Sequence, residues 1–106
     1  MKSAITISMA GILTLAAGAF AFWGDAGLDH GKEVYAIQKC ALCHSVSDIG
    51  GKKKPLDGVG SRLKPEDIKK WIRTPKEMKS STTMKAYPNL PEKDLDDLTS
   101  FLLTLK

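Results

Sequence analysis

The spacing of apolar residues along the chain predicts its main elements. Three segments, Leu28–Gln38, Pro65–Thr74 and Pro91–Leu105, place apolar side chains three or four residues apart, which gathers them on one face of an α-helix. Residues 45–60 are rich in Gly, Pro and Lys and follow no period, and no strand pattern is seen. We therefore predict an all-α fold with three main helices. The apolar stripes are Gly31, Val34, Tyr35 and Gln38; Ile68, Trp71 and Ile72; and Leu95, Leu98, Phe101, Leu102 and Leu105.

Local signals indicate where these helices begin and end. Asp29 is suited to the N-cap of the first helix. Pro65, followed by acidic residues, is a typical first helical residue, and Pro75 stops the second helix. Gly31 is unusual because glycine inside a helix costs about 1 kcal/mol relative to alanine. Close approach of another helix at Gly31 would explain it.

The N-terminal segment has the composition of an export signal. A basic start with Lys2 precedes the run Ala4–Trp23, which carries no charge and has no amphipathic face. The run also approaches the roughly 20 apolar residues that span a bilayer. We divide the chain into 1–26, a signal peptide or membrane anchor, and 27–106, a single domain. We expect the domain in the periplasm or otherwise outside the cytoplasm, soluble after cleavage or tethered by the uncleaved run.

Positive charge is concentrated in one part of the chain, and this indicates which kind of molecule the protein could bind. The formal net charge is +4, and Lys52–Lys85 holds eleven Lys and Arg against four Asp and Glu. Nucleic acid does not fit an exported chain, whereas an acidic protein partner or an anionic membrane surface does. The lysines that could serve such docking are Lys52, Lys53, Lys54, Lys79 and Lys85.

Cys40-Ala41-Leu42-Cys43-His44 carries the chemistry of the chain. It reads C-x-x-C-H, the motif for covalent attachment of a c-type haem. The two thiols can add to the two vinyl groups of a porphyrin, and the adjacent His can bind the iron from the proximal side. Both cysteines are then used, so the haem would take the stabilising place that a disulfide or metal holds in other small domains.

The cysteines allow two other uses. A structural zinc site needs four ligands, which here would be Cys40, Cys43, His44 and His30. Adjacent Cys43 and His44 strain tetrahedral chelation, and His30 is better interpreted as a surface residue. A thioredoxin-like dithiol requires a βαβ context that the pattern does not predict. Haem attachment is the favoured interpretation.

Residues elsewhere can complete the site. A methionine can provide the sixth iron ligand, and the candidates are Met78 and Met84, the latter in an irregular segment that can fold over the distal face. The Nδ1–H group of His44 requires an acceptor, for which a backbone carbonyl near Pro55 is suited. Trp71 is a core candidate whose indole N–H can reach a haem propionate.

Taken in this order, the residues from Leu28 to Lys106 resemble small bacterial class I cytochromes c. Gly31 and Tyr35 resemble the first-helix pair that crosses the last helix in that family, with Phe101 as the aromatic partner. The resemblance implies the cytochrome c fold wrapped around one covalent haem. It also implies Cys40 and Cys43 as thioether links, His44 as proximal ligand, Met84 rather than Met78 as distal ligand, the Pro55 carbonyl as acceptor for His44, and Trp71 near a propionate.

These expectations define the predicted function. We expect a monomeric mono-haem cytochrome that moves single electrons between periplasmic or membrane-bound redox proteins and is not an enzyme by itself. One alternative is a permanently bound haem subunit of a larger oxidase or dehydrogenase. Another is a haem-based sensor of a small ligand, which would require an open or easily displaced axial position on the iron.

Overall fold

The computed structural model describes residues 16–52 and 54–106 and is mainly helical. The described chain also contains three short strands, so the all-α prediction is corrected to mostly helical with a small sheet. The strands escaped prediction because two or three residues are too few to show an alternating pattern. The helices are α1 (Ala16–Ile37), α2 (Val59–Arg62), α3 (Pro65–Arg73), α4 (Pro75–Met78) and α5 (Glu92–Leu103); the strands are β1 (His44–Val46), β2 (Ile49–Gly50) and β3 (Lys54–Pro55).

The first helix is longer than the sequence indicated. Helix α1 continues through Asp29, which therefore lies in the helix interior, and the predicted N-cap there is wrong. No proline lies between Ala16 and Asp29, so no residue there removes a backbone N–H group and breaks the helix. The chain turns away after Ile37, where Lys39 adopts a left-handed conformation with φ of 59°.

Part of the predicted export segment can be compared with the structure. Residues 1–15 lie outside the described residues, and residues 16–25 have helical backbone within α1. Among the helices of residues 16–52 and 54–106, none combines the length and hydropathy of a membrane-spanning helix. The division into 1–26 and 27–106 stays a prediction.

Helices α1 and α5 cross at Gly31, as the glycine in the first stripe predicted. A methyl group at this position would lie 2.8 Å from Cβ of Phe101 and closer still to the carbonyl oxygen of Asp97. One turn further along α1, the rings of Tyr35 and Phe101 meet edge to face, with centroids 5.7 Å apart and planes at 70°. The explanation of Gly31 by close helix approach is confirmed.

The small sheet lies within residues 44–55, directly after the C-x-x-C-H motif. Strand β1 is central, pairing antiparallel with β2 and parallel with β3. Ser47 and Asp48 form the β1–β2 turn, both with positive φ (51° and 65°), as a tight two-residue hairpin requires. The segment predicted to be irregular is therefore ordered against the motif.

Helices α2 to α5 close the apolar core. Pro65 begins α3, as predicted, and Pro75 begins the short helix α4 directly after α3 ends. Gly60 of α2 packs against the backbone of Leu103, and its N–H donates to the carbonyl of Leu105 at 2.8 Å. The buried apolar residues come from four helices and the segment before α5: Val34, Val59, Ile68, Ile72, Leu90, Leu95, Leu98 and Leu102.

Candidate functional site: a haem-attachment motif and the loop that faces it

The two cysteines follow the end of α1 on a short 3₁₀ turn, Cys40–Leu42. Both thiols are free; Cys40 is half-buried and Cys43 is exposed. Burial raises the pKa of the Cys40 thiol, opposed by a hydrogen bond from its own backbone, so the sulfur is held as a neutral thiol near pH 7. Both sulfurs are therefore present as unpaired thiols, the form that thioether attachment requires.

His44 follows at the start of β1, and its ring is fixed by the sheet. The Nδ1–H group donates to the backbone carbonyl of Lys54 at 2.9 Å. That carbonyl is in place because His44 and Lys54 are register partners in the parallel β1–β3 pair. Since a carbonyl oxygen can only accept, the proton lies on Nδ1, and the lone pair of Nε2 is available to a metal.

The acceptor for His44 differs by one residue from the position that the resemblance implied. Lys54 provides the carbonyl, and Pro55 is the next residue of the same strand. The assignment of the Pro55 carbonyl is therefore wrong in this structure. Pro55 has no N–H group and its φ is restricted, so it stiffens the strand that presents the Lys54 carbonyl.

The β1–β2 hairpin and the residue after it contact the backbone of the C-x-x-C-H motif. Gly51 donates its N–H to the carbonyl of Ala41 at 2.9 Å. Gly50 has φ of 111°, and any side chain there would meet the carbonyl of His44. Ser47 donates its N–H to the carboxylate of Asp57 at 2.8 Å. The backbone of the motif is therefore held by neighbouring strands and does not depend on α1 alone.

Met84 lies in the loop between α4 and α5 and borders a cavity of ≈ 420 Å³. None of Cys40, Cys43 and His44 is among the residues that line it, so the cavity by itself does not mark the haem site. The half-buried Met78 ends α4 and is not among the residues that line this cavity. The cavity is lined by Arg73, Thr74, Pro75, Lys76, Glu77, Met84, Ala86 and Pro88.

Tyr87 connects this loop to the residues just before the motif. Its hydroxyl donates to the carbonyl of Gln38 at 3.0 Å, and its backbone N–H donates to the carbonyl of Ile72 at 2.8 Å. Burial, with smaller contributions from Cys40 and Cys43, raises the pKa of Tyr87, so the hydroxyl keeps its proton and remains a donor. Sequence reasoning missed this residue, since no local pattern identifies a tyrosine that caps a helix end far along the chain.

Tyr35 is a half-buried residue of α1 whose hydroxyl oxygen is buried. Its hydroxyl has no hydrogen-bond partner within the described part of the chain. Burial raises its pKa most, and the nearby Cys40 and Asp57 raise it further. Buried hydroxyls are rarely left without a partner. Together with two free thiols and a metal-ready Nε2, a buried donor beside Cys40 fits a site that accepts a macrocycle with polar substituents.

Trp71, His30 and the alternative zinc site are the remaining sequence predictions about the site. Trp71 is half-buried on α3, between the buried Ile68 and Ile72. His30 is partly exposed at the surface, as predicted, and its Nδ1 lies 2.7 Å from the carboxylate of Asp97 in α5. Within residues 16–52 and 54–106, no group of three or more His, Cys, Asp or Glu side chains is placed to hold a metal ion, so the structure does not assemble the zinc alternative.

Comparison with known proteins identifies the family. Residues 26–102 match the family described as cytochrome c oxidase, cbb3-type, subunit III. A curated relative, cytochrome c oxidase subunit 2 of Alkalihalophilus pseudofirmus, is 30% identical over 87 residues, which cover 74% of this chain. The chain matches about a quarter (25%) of the length of that relative. No solved structure gave a significant match. The chain belongs to the cbb3-type subunit III family of cytochrome c domains, which implies a covalently bound haem and haem-based electron transfer.

Proposed function

We propose that this protein is a mono-haem electron carrier whose haem is bound by Cys40 and Cys43 and ligated by His44 and Met84. The observation that carries the proposal is the hydrogen bond from His44 Nδ1 to the Lys54 carbonyl at 2.9 Å. It fixes the tautomer and the ring orientation that a proximal ligand needs, immediately after two free thiols.

The residues of the chain each contribute to one-electron transfer. Haem attached at the motif supplies an iron centre that changes oxidation state by one electron. His44, held by the Lys54 carbonyl, and Met84 in the α4–α5 loop would remain the two iron ligands in both oxidation states. Because no bond to a substrate and no proton is exchanged, the chain needs no general acid or base. We therefore assign it no catalysis of its own.

Replacing each methionine tests the ligand assignment. We expect Met84→Leu to abolish the long-wavelength ferric absorption band that marks sulfur–iron ligation. The matched variant Met78→Leu should keep the band, because Met78 ends helix α4, whereas Met84 lies three residues before Tyr87, whose hydroxyl donates to the Gln38 carbonyl beside the motif. The reverse result would assign Met78. A wild type that lacks the band and binds carbon monoxide readily in the ferrous state would favour the haem-sensor alternative.

Exposed lysines support docking of an acidic redox partner. Lys52, Lys54, Lys79 and Lys85 are exposed, while Lys53 lies outside the described residues. Exposed charges of one sign accelerate encounter with an oppositely charged partner, and salt screens this effect. The reduction rate by an acidic donor should fall as ionic strength rises, and Lys85→Glu should weaken that dependence. Lys106→Glu, the same charge change at the C-terminal residue, should not; a flat salt response in the wild type would refute the steering.

A bound oxidase subunit is the second candidate function. Both named matches, the subunit III family and the subunit 2 relative, carry the name of cytochrome c oxidase. Isolation from native membranes under mild detergent distinguishes a free electron carrier from a bound oxidase subunit. A free carrier runs at the mass of the single chain, whereas a subunit elutes with oxidase activity and further polypeptides.

We also propose export, with residues 4–23 either removed or retained as a membrane tether. The uncharged run after a basic start supports this proposal. N-terminal sequencing of the protein from the periplasmic and membrane fractions tests it. A mature N-terminus shortly after the run indicates cleavage, and an intact N-terminus in the membrane fraction indicates a tether. Recovery of the haem protein from the cytoplasm alone would refute export.

A further inference from the structure

Arg73, the last residue of α3, makes more hydrogen bonds to the loop that carries Met84 than any other described side chain. One terminal nitrogen donates to the carbonyl of Pro88 at 2.9 Å and, more weakly, to that of Tyr87 at 3.5 Å. The other donates to the carbonyl of Leu90 at 2.8 Å. The same nitrogen lies 3.0 Å from the carboxylate of Glu92. One guanidinium therefore holds three backbone carbonyls within four residues.

The loop needs such a donor because of its sequence. Pro88 and Pro91 have no N–H group, so residues 87–91 cannot pair their backbone in a helix or a strand ladder. The Tyr87 carbonyl accepts from the Leu90 N–H group at 3.4 Å and the Pro91 carbonyl from that of Leu95 at 2.9 Å, whereas the carbonyls of Pro88 and Leu90 are served by a side-chain donor. A planar guanidinium with several N–H groups can serve several carbonyls at once, which a lysine ammonium on a flexible stem does less well.

The position of Arg73 makes it a fixed support for this loop. Helix α3 is anchored in the core by Ile68 and Ile72, which are 3% and 5% exposed. The Arg73 side chain is 26% exposed, and it lines the same cavity as Met84. Glu92 is 73% exposed, so the ion pair with it adds little to the support.

Met84 has few restraints of its own. Its backbone N–H donates to the hydroxyl of Thr82, a bond within the same short segment. The first long-range bond after Met84 is at Tyr87, and the next bonds are those to Arg73. The position of the Met84 sulfur relative to the motif therefore depends on how firmly residues 87–90 are held.

We propose that Arg73 is a positioning residue that holds residues 87–90 so that Met84 stays in place as an iron ligand. This inference rests on the proposed function, because it assumes ligation by Met84. Arg73 does not contact the iron in this proposal; it acts through the loop backbone. Outer-shell partners of metal ligands commonly change metal–ligand affinity by about 10–100-fold when they are replaced.

The test uses the haem-loaded protein and the variants Arg73→Gln and Arg73→Lys. Carbon monoxide competes with Met84 for ferrous iron, so we expect Arg73→Gln to bind it about 10-fold more tightly or more. The ferric sulfur–iron band should disappear at a lower temperature than helix unfolding measured by circular dichroism. Hydrogen exchange at the amides of Tyr87 and Leu90 should accelerate. Arg73→Lys keeps the charge but loses the multiple donors, and should lie between wild type and Arg73→Gln.

Two variants serve as controls. Arg62→Gln removes another arginine that donates to a single loop carbonyl, that of Asp57, and should leave carbon monoxide affinity unchanged. Leu98→Ala opens the core and should lower the unfolding temperature without loosening the sulfur–iron bond in the folded protein. Wild-type carbon monoxide affinity in both Arg73 variants overturns the positioning role. Absence of the sulfur–iron band in the wild type instead refutes ligation by Met84, a result distinct from failure of the Arg73 variants.

Discussion

Gly31 shows how one residue determines where two helices meet. Alanine there would gain about 1 kcal/mol of helix propensity. Its methyl group, however, would meet the Asp97 carbonyl and the Cβ atom of Phe101, and backbone atoms cannot move aside cheaply. Overpacking of this kind costs about 1–3 kcal/mol. The net effect of Gly31→Ala should be a loss of up to about 2 kcal/mol in the free energy of unfolding, measured by denaturant titration of the holoprotein.

Gly27 provides the matched control, one turn earlier on the same helix. A methyl group at Gly27 would lie 3.7 Å from a carboxylate oxygen of Asp97, an ordinary van der Waals distance. Gly27→Ala should therefore be neutral or stabilise the protein slightly through helix propensity. Equal effects of the two substitutions would show that the close approach at Gly31 does not limit stability.

Individual residues of the candidate site differ in whether the sequence alone could identify them. Cys40, Cys43 and His44 could be predicted, because their chemistry requires a fixed spacing within five residues. Tyr87 and Arg73 could not, because they bind backbone carbonyls that are distant in sequence and adjacent only after folding. The one-residue error that assigned the Pro55 carbonyl in place of Lys54 has the same origin, the strand register.

The junction of α1 and α5 is held by an ionic cluster as well as by packing. The carboxylate of Asp97 lies 2.7 Å from His30 of α1 and 2.9 Å from Lys93 of its own helix. His30 also faces Asp94 at 3.5 Å. Asp97 accepts from both neighbours, so it connects the two helices.

The cluster predicts an acid-dependent contribution to stability. The hydrogen bond from Lys93, and to a lesser degree that from His30, hold the pKa of Asp97 below its ordinary value near 3.8, although partial burial opposes them. The contribution is therefore fully present above the unfolded-state pKa and is lost as the pH falls through the lower folded-state value. We expect the free energy of unfolding to decline below about pH 4, with a smaller decline in Asp97→Asn.

The titration itself can be followed by carbon-detected NMR of the Asp97 carboxyl group. In Lys93→Gln, which removes the largest cause of the shift, the titration midpoint should move up toward the ordinary value. An unchanged midpoint would contradict the assignment of Lys93 as the main cause. If the free energy of unfolding falls with pH equally steeply in Asp97→Asn and in the wild type, Asp97 does not contribute to the loss of stability in acid.

Long helices with a repeating apolar pattern were predicted from the sequence more accurately than short elements. Helix α5, at 12 residues, and α3, at 9, were placed to within two residues at each end, because their apolar stripes repeat over several turns. The strands of residues 44–55 were missed because tertiary pairing, and not an alternating pattern, forms them. The start of α1 was misplaced because an N-cap residue type also occurs inside helices.

At the scale of the whole molecule, the buried core does not extend to the surface around the C-x-x-C-H motif. Within the described residues, the eight buried apolar core residues lie on α1, α2, α3, α5 and the segment before α5. Around the motif, by contrast, Ile37, Leu42 and Ile49 are 70%, 75% and 77% exposed. Exposed large apolar side chains on a small domain indicate a surface that another group contacts. The polypeptide alone therefore gives a core that is one-sided relative to the motif.

This one-sided core predicts that the fold depends on its haem. A domain of this size rarely gains more than about 3–5 kcal/mol from its own core. Cys40→Ser/Cys43→Ser, which removes both attachment points, should yield a haem-free chain with reduced helical circular dichroism and a broad, low-temperature transition. Cys43→Ser keeps the half-buried thiol of Cys40 and His44 and should retain a haem-loaded, cooperative fold. If the haem-free double variant unfolds as sharply and at the same temperature as the wild type, the eight-residue core is sufficient, and the role of haem is confined to electron transfer.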